Sequence, residues 1–135
     1  NKILISHTSY NIIDKNNSLI GYREARRLDY NDLINSCDIG LSTVMIEKTL
    51  LKNRYFAKLK TKEDYVLWLK LAKDNFIFYP IKNTLTSWRS LKDSLSSSTV
   101  QKLIDGYFVY ITFLKQSVIR SLFSLLTLSI NFLRK

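Results

Sequence analysis

The chain has 135 residues, enough for one domain to bury a core without disulfides or a structural metal. Its three glycines and one proline exclude collagen-like and linker-like chains, and its many large apolar residues argue against disorder. Lysine and arginine total 21 against 11 acidic residues, and the net charge of +10 favours anionic partners such as nucleic acid, lipid headgroups or phosphorylated small molecules.

The chain begins with a predicted β-hairpin. Residues 2 to 13 alternate between apolar and polar side chains, "DKNNS" supplies turn residues, and a second extended run follows around "LIGYREA". The only histidine, His7, lies in the first strand, and we interpret it as a strand residue, although a Ser-His-Asp triad could be built only through it. The single cysteine, Cys37, excludes an internal disulfide and a cysteine-based zinc site and fits a reducing compartment.

Three short elements are predicted next. "LDYNDLINSCDIG" is typical of a short helix, with Asp29 available as its N-cap and Gly40 just beyond its end. "LSTVMI" predicts a buried strand, and "EKTLLKN" a short helix.

The stretch "TKEDYVLWLKLAKDN", residues 61 to 75, has the spacing of an amphipathic helix whose apolar stripe faces the core. Thr61, three residues before Asp64, indicates a capping box. The acidic pair Glu63 and Asp64 has two interpretations, because acids favour any helix start and a carboxylate can also take a proton from a substrate.

"FIFYPI" and "LTSWR" predict two strands, the first closed by Pro80, and "DSLSSSTVQKL" opens a long helix capped by a serine among residues 96 to 98. From Leu103 the helical pattern continues to the end. Its predicted apolar stripe consists of Tyr107, Ile111, Leu114, Val118, Leu122, Leu125 and Phe132.

The C-terminal segment, residues 107 to 135, is basic and contains no acidic residue. The 13 uncharged residues between Arg120 and Arg134 fall short of the ~20 that span a bilayer. The segment therefore predicts a basic amphipathic helix lying in a membrane interface. A helix packed on the domain, or on partner helices, is the alternative.

The ordered series of hairpin, "CDIGLSTVMIEK", "TKEDYVLWLKLAK", "YPIKNTLTSWR" and "DSLSSS" resembles the C-terminal half of a family 2 glycosyltransferase of the bacterial cell-surface polysaccharide type. The resemblance covers roughly residues 3 to 110. It implies an α/β fold, the acceptor-binding half of a GT-A fold, with a mixed sheet, flanking helices and a C-terminal amphipathic helix. The implied division is residues 1–106 for the acceptor-side half and 107–135 for the basic helical segment.

The resemblance also implies an inverting sugar transfer and the roles of particular residues. Residues 37 to 43 would line the sugar pocket. Asp64 matches the general base; Glu63, Asp38 and Trp68 match acceptor-binding positions; Arg89 and Ser94 match positions that bind the donor diphosphate.

The family uses Mg²⁺ or Mn²⁺ held by a D-x-D motif, and this sequence contains no D-x-D, so no residue is assigned to a metal. We expect the nucleotide-binding half upstream of residue 1 and an isolated chain that is inactive. The implied partners are a nucleotide-diphosphate sugar and a saccharide or polyprenyl-diphosphate-linked acceptor in capsule or lipopolysaccharide synthesis. The implied location is cytoplasmic, peripheral on the inner face of the cytoplasmic membrane.

Two other functions are considered. A non-catalytic remnant or membrane-associated interaction piece is one, because an acceptor half alone has no donor site. A nucleic-acid-binding module is the other, suggested by the charge, but the aromatic residues are interleaved with aliphatic ones at core spacing and no known binding motif is present.

Overall fold

The computed structural model describes residues 2–91, 94 and 98–133, which form a four-stranded sheet packed with helices. Strand β1 (Ile5–Ile13) is central. Strands β2 (Leu19–Arg23) and β3 (Val44–Ile46) pair with it antiparallel, each along a different half of the same edge. Strand β4 (Tyr79–Arg89) runs parallel to β1 along the other edge. The predicted hairpin and mixed sheet are confirmed.

Three details of the sheet differ from the predictions. Strand β3 covers only Val44–Ile46, after a 3₁₀ turn at Leu41–Thr43, and Met45 in its centre is exposed, so the predicted buried strand is wrong. A second 3₁₀ turn, Lys48–Leu51, replaces the short helix. The two strands predicted around Pro80 form one strand, because Pro80 lies at its second position, where an edge strand tolerates a missing N–H.

Helix α1 (Tyr30–Asn35) begins as predicted. The Asp29 side chain accepts hydrogen bonds from the backbone N–H groups of Asn31 and Asp32, and the Asp32 carboxylate reaches back to the Asp29 amide in a complete capping box. The helix ends at Asn35, so Gly40 does not terminate it.

Helix α2 (Glu63–Lys73) is the centre of the core. The predicted stripe is buried, but the burial extends almost around the helix; its buried members are Tyr65, Val66, Leu67, Trp68, Leu69, Leu71 and Ala72. The Trp68 ring packs edge-on against Phe78, which follows the helix. A helix that is apolar on nearly every side is held by packing from several directions.

Two buried tyrosines fasten the helices to one another. The hydroxyl of Tyr65 in α2 donates to the carbonyl of Leu33, and the hydroxyl of Tyr110 donates to the carbonyl of Ile34 at 2.8 Å. Burial raises the pKa of Tyr110 to about 12 and that of Tyr65 well above its usual value, so both remain donors at neutral pH. These bonds satisfy carbonyls of α1, which has too few turns to satisfy its own.

The predicted continuous C-terminal helix is wrong. Helix α3 (Thr99–Phe108) begins at Ser98, whose Oγ accepts from the Gln101 amide, as predicted. It continues into a segment of π spacing, Val109–Phe113, and the chain then turns, with Lys115 at a φ of 53°, before helix α4 (Val118–Leu133). The predicted boundary after residue 106 falls inside α3 and stays a prediction.

Helix α4 packs back on the domain against α1 and α3. Leu128 is its most deeply buried apolar residue, and the Asn131 side chain donates to the carbonyl of Asn35 at 2.9 Å. In the described ranges, no helix combines the length and the apolar character needed to cross a bilayer.

The first prediction concerns His7, which lies 3% exposed in β1 with its Nε2 2.8 Å from the carbonyl oxygen of Arg26. Burial lowers its pKa, and the positive charge of Arg26 adds to that effect. Since the unfolded chain then binds the proton more readily, the free energy of unfolding should fall as the pH drops below about 6.5. Urea unfolding should show a smaller loss over this range in His7→Gln. Identical pH profiles for the two proteins would contradict it.

Candidate active site

The start of α2 is built by a residue in the left-handed region. Lys62 precedes the helix with φ 62° and ψ 18° and makes no side-chain capping bond. The backbone N–H and the hydroxyl of Thr61 both donate to Oδ2 of Asp105, at 2.7 and 2.8 Å. The predicted Thr61–Asp64 capping box is therefore wrong, because the Asp105 carboxylate, 44 residues away, takes both donors of Thr61.

Asp105 ties α3 to the start of α2. Its other carboxylate oxygen, Oδ1, accepts from Nε2 of Gln101 at 3.0 Å, and the side chain is buried among these bonds. A buried carboxylate with several donors is a strong acceptor, and removing it strands the donors. Asp105 thus positions the backbone from which Asp64 projects. Sequence reasoning missed this role, although an acid inside the apolar helix pattern was its signal.

Asp64 lies in the first turn of α2, half-buried, with its Oδ1 accepting from the N–H of Tyr65 at 2.7 Å. Burial raises the pKa of the Asp64 carboxyl, and the charge of Glu63 adds to the rise. The hydrogen bond from Tyr65 and the charge of Lys62 oppose it. Amides at the helix start favour the ionised carboxylate, but burial has the larger effect on the pKa of Asp64 and favours the protonated form.

Tyr10 of β1 packs against the segment predicted to line the sugar pocket, and its pKa responds to the charge of Asp64. A Cβ at Gly40 would lie 3.3 Å from Cε1 of Tyr10, so the tyrosine ring packs against the Gly40 backbone. Burial raises the pKa of Tyr10, and the charges of Cys37 and Asp64 raise it further against the lowering effect of Arg23. Tyr10 of β1 therefore packs on the segment after α1, and the charge of Asp64 at the start of α2 acts on it. Sequence analysis had not singled out Tyr10, which it treated only as part of an alternating strand.

Asp38, predicted to bind the acceptor, holds an ion pair. Its Oδ2 lies 2.9 Å from Arg26, which also pairs with Asp32 at 3.1 Å, and its Oδ1 accepts from the hydroxyl of Ser36. Its side chain is only 11% exposed. The arrangement orders the loop after α1, and an acceptor role for Asp38 stays a prediction.

The remaining predicted site residues, Trp68, Arg89 and Ser94, lie in different parts of the fold. Trp68 is 2% exposed in the core. Arg89 pairs with Ile13 and donates to the β1–β2 turn, at 2.9 Å to the carbonyl of Asp14 and 2.7 Å to Oδ1 of Asn17. It lies three residues beyond Tyr10 in the strand register, about 10 Å further along the sheet at ~3.3 Å per residue. Ser94 donates to the carbonyl of Leu91. Glu63 and Asp64 lie side by side in the first turn of α2, and Trp68 follows Asp64 by about one turn of the same helix. The site roles of Trp68, Arg89 and Ser94 stay predictions.

The described side chains do not form a metal site. Within residues 2–91, 94 and 98–133, no three histidine, cysteine, aspartate or glutamate side chains are grouped so that they could hold an ion. The Mg²⁺ or Mn²⁺ implied by the resemblance therefore does not fit these residues.

Comparison with known proteins identifies relatives. No protein-family model matches the chain. The chain is 36% identical over 105 residues to the UDP-Glc:α-D-GlcNAc-diphosphoundecaprenol β-1,3-glucosyltransferase WfgD of Escherichia coli, covering 76% of this chain and 41% of WfgD. It is 28% identical over 104 residues to WfaP of the same organism, which is named for the same activity, covering 76% of this chain and 41% of WfaP.

A third relative is TuaG of Bacillus subtilis (strain 168), provisionally named a teichuronic acid biosynthesis glycosyltransferase. The identity is 30% over 83 residues, 62% of this chain and 33% of TuaG. The chain thus spans a third to two fifths of the length of these curated relatives.

The second prediction tests the positioning role of Asp105. Asp105→Ala should lower the free energy of unfolding by about 1–3 kcal/mol, because two donors of Thr61 lose their buried acceptor. Asp105→Asn should cost less, since its amide oxygen can face Thr61 while the Gln101 amide reverses to accept from the new NH₂. Urea unfolding measures both. Equal losses in the two variants would show that the lost negative charge, and not the acceptor geometry, is what matters.

Proposed function

This chain belongs to a family of bacterial glycosyltransferases, and on that premise we propose that it is the acceptor side of a family 2 enzyme of GT-A type, with Asp64 as its general base. The observation that carries the proposal is the state of the Asp64 carboxylate. It is half-buried in the first turn of α2, where its Oδ1 accepts from the Tyr65 amide and burial raises its pKa.

The proposed reaction is a single displacement with inversion. An acceptor hydroxyl attacks the anomeric carbon, the nucleoside diphosphate leaves with the bonding electrons, and Oδ2 of Asp64 takes the hydroxyl proton as the new bond forms. A base placed in this way typically contributes ~10²- to 10⁴-fold to the rate. Burial, which raises the pKa of Asp64, makes the carboxylate a better proton acceptor, while the Tyr65 N–H fixes the direction of its lone pairs.

The neighbours of Asp64 support an acceptor pocket. Glu63 precedes it on the first turn, and we propose that it binds an acceptor hydroxyl. We propose that Tyr10, which packs against the Gly40 backbone, forms one wall of that pocket. Trp68 is proposed to act at the acceptor site through the position of α2, because its ring is inside the core.

The donor side rests on the resemblance alone. Arg89 and Ser94 are proposed contacts of the donor diphosphate, and Arg89 would exchange its bonds to the β1–β2 turn for phosphate oxygens. Its planar guanidinium suits bidentate phosphate binding. The divalent cation that the resemblance implies would be held by residues that this sequence does not contain.

The activities for which WfgD and WfaP are named suggest the substrate classes. Both are named for transfer from UDP-Glc to an acceptor on diphosphoundecaprenol. We propose a nucleotide-diphosphate hexose as the donor and a saccharide or polyprenyl-diphosphate-linked saccharide as the acceptor, used at the inner face of the cytoplasmic membrane. The isolated chain is expected to lack transfer activity, and a non-catalytic role is the outcome if the test below fails.

The third prediction separates a base from a helix cap. In the complete gene product, Asp64→Asn should reduce sugar transfer by at least ~10²-fold, because the amide cannot take the proton. The melting temperature should stay the same or rise slightly: a carboxylate whose pKa is raised on folding weakens the fold when ionised, above its unfolded pKa near 4. Transfer of labelled sugar and a thermal melt measure the two effects.

Asp74→Asn is the matched control, because Asp74 caps the other end of α2 and pairs with Arg54 at the surface. It should leave transfer unchanged. If Asp64→Asn instead lowers the melting temperature and the activity in parallel, the carboxylate supports the helix and the general-base assignment fails.

A further inference from the structure

Helix α4 has two faces of different character. The inner face packs on the domain through small, polar and apolar residues, among them Ser121, Leu125 and Leu128, and Asn131 closes it with its bond to Asn35. This contact accounts for the position of the helix. It uses only one side of α4.

The opposite side of α4 is apolar and open to water. We call it the outer face of α4; its members are Val118, Ile119, Leu122, Phe123, Leu126 and Ile130, with exposed fractions of 40 to 73%. They follow helical spacing, so they form a continuous stripe. Monomeric soluble proteins rarely expose a contiguous apolar patch of this kind without a partner.

The surroundings of this stripe are cationic. Arg120 lies on α4 itself and is exposed, and Lys115 precedes the helix. Outside the outer face, where α4 packs on α3, the Lys102 ammonium lies 5.4 Å from the centre of the Phe132 ring. The sequence has no acidic residue after Asp105, whose carboxylate is buried in hydrogen bonds, and it adds Arg134 and Lys135 beyond the described residues.

We propose that the outer face of α4 docks on an anionic lipid bilayer, with the helix lying in the plane of the headgroups. An apolar stripe bordered by cations complements acyl chains below and anionic headgroups beside it. At ~1.5 Å per residue the 16-residue helix is about 24 Å long, which suits lying in the interface. Nucleic acid offers nothing for the apolar stripe, and a second copy of this chain would bring like charges together.

The inference does not depend on sugar transfer, because its readout is binding alone. Since Val109 and Tyr110 are core residues, deleting the C-terminal segment from residue 107 would remove part of the fold, so point substitutions are needed. The test is cosedimentation of the 135-residue chain with phosphatidylcholine vesicles, with and without phosphatidylglycerol. The chain should bind the anionic vesicles, bind the neutral ones at least tenfold more weakly, and be released by salt.

The fourth prediction is that Ile119→Ser/Phe123→Ser weakens binding to the anionic vesicles by roughly tenfold or more, since two side chains that would enter the acyl region are lost. The matched control is Met45→Ser/Leu85→Ser, which removes two side chains of similar exposure, 76 and 68% against 73 and 68%, from the sheet. It should bind as the original chain does. Arg120→Gln should weaken binding about fivefold, the effect of one cation near an anionic surface.

Four results would overturn the proposal. The first three are equal binding to neutral and anionic vesicles, undiminished binding of the Ile119/Phe123 variant, and a dimer in solution that this variant converts to a monomer, which would assign the face to a second copy. Phe123→Trp keeps the stripe apolar, so it tests the proposal even if the Ile119→Ser/Phe123→Ser variant fails to fold. Its extra emission relative to the original chain should shift to the blue on anionic vesicles, and an unshifted emission would equally contradict membrane docking.

Discussion

The two hydrogen bonds from Thr61 to the Asp105 carboxylate are the constraint on which the candidate site depends. They hold Thr61, two residues before α2, against α3. Together with Lys62 in the left-handed region, they set the direction in which α2 enters the core. Because α2 is buried on nearly every side, that direction is fixed along its length. Asp64, at the start of the helix, inherits a fixed position. Its carboxylate is therefore placed by the fold, with Oδ1 bonded to the Tyr65 amide in the first turn of α2.

Local patterns predicted the elements whose cause is local. The N-caps Asp29 and Ser98 bond to residues three apart or fewer, so the sequence alone predicted them. The same rule failed at Thr61, because a charged acceptor far along the chain competes better than Asp64 for its donors. The break after Phe113 was also missed: it has neither proline nor glycine, and Lys115 adopts its positive φ without a compositional signal.

The site, too, was predicted only where its arrangement has a local cause. The acidic pair of Glu63 and Asp64 is contiguous, so any helix there brings them together. The nearness of Tyr10 and Gly40 depends on sheet register and on the loop after α1, which periodicity does not encode. Asp38 and Arg89 were assigned from a resemblance, and in this structure each has nearby partners, Arg26 and the β1–β2 turn. Of the two interpretations of the C-terminal segment, the structure confirms that α4 packs on the domain, and the membrane interface stays a proposal for its exposed side.

Strand β4 has a consequence for handling the protein. Over eleven residues it pairs only with β1 in the described part of the chain, so one side of its backbone is left with donors and acceptors that face outward. Leu85 and Trp88 project from the same strand into solvent. An exposed edge strand of this kind is a template for intermolecular strand addition. This polypeptide is therefore expected to aggregate, and its solutions to become turbid, as its concentration rises. Another segment or protein that covers the free edge of β4 would prevent this.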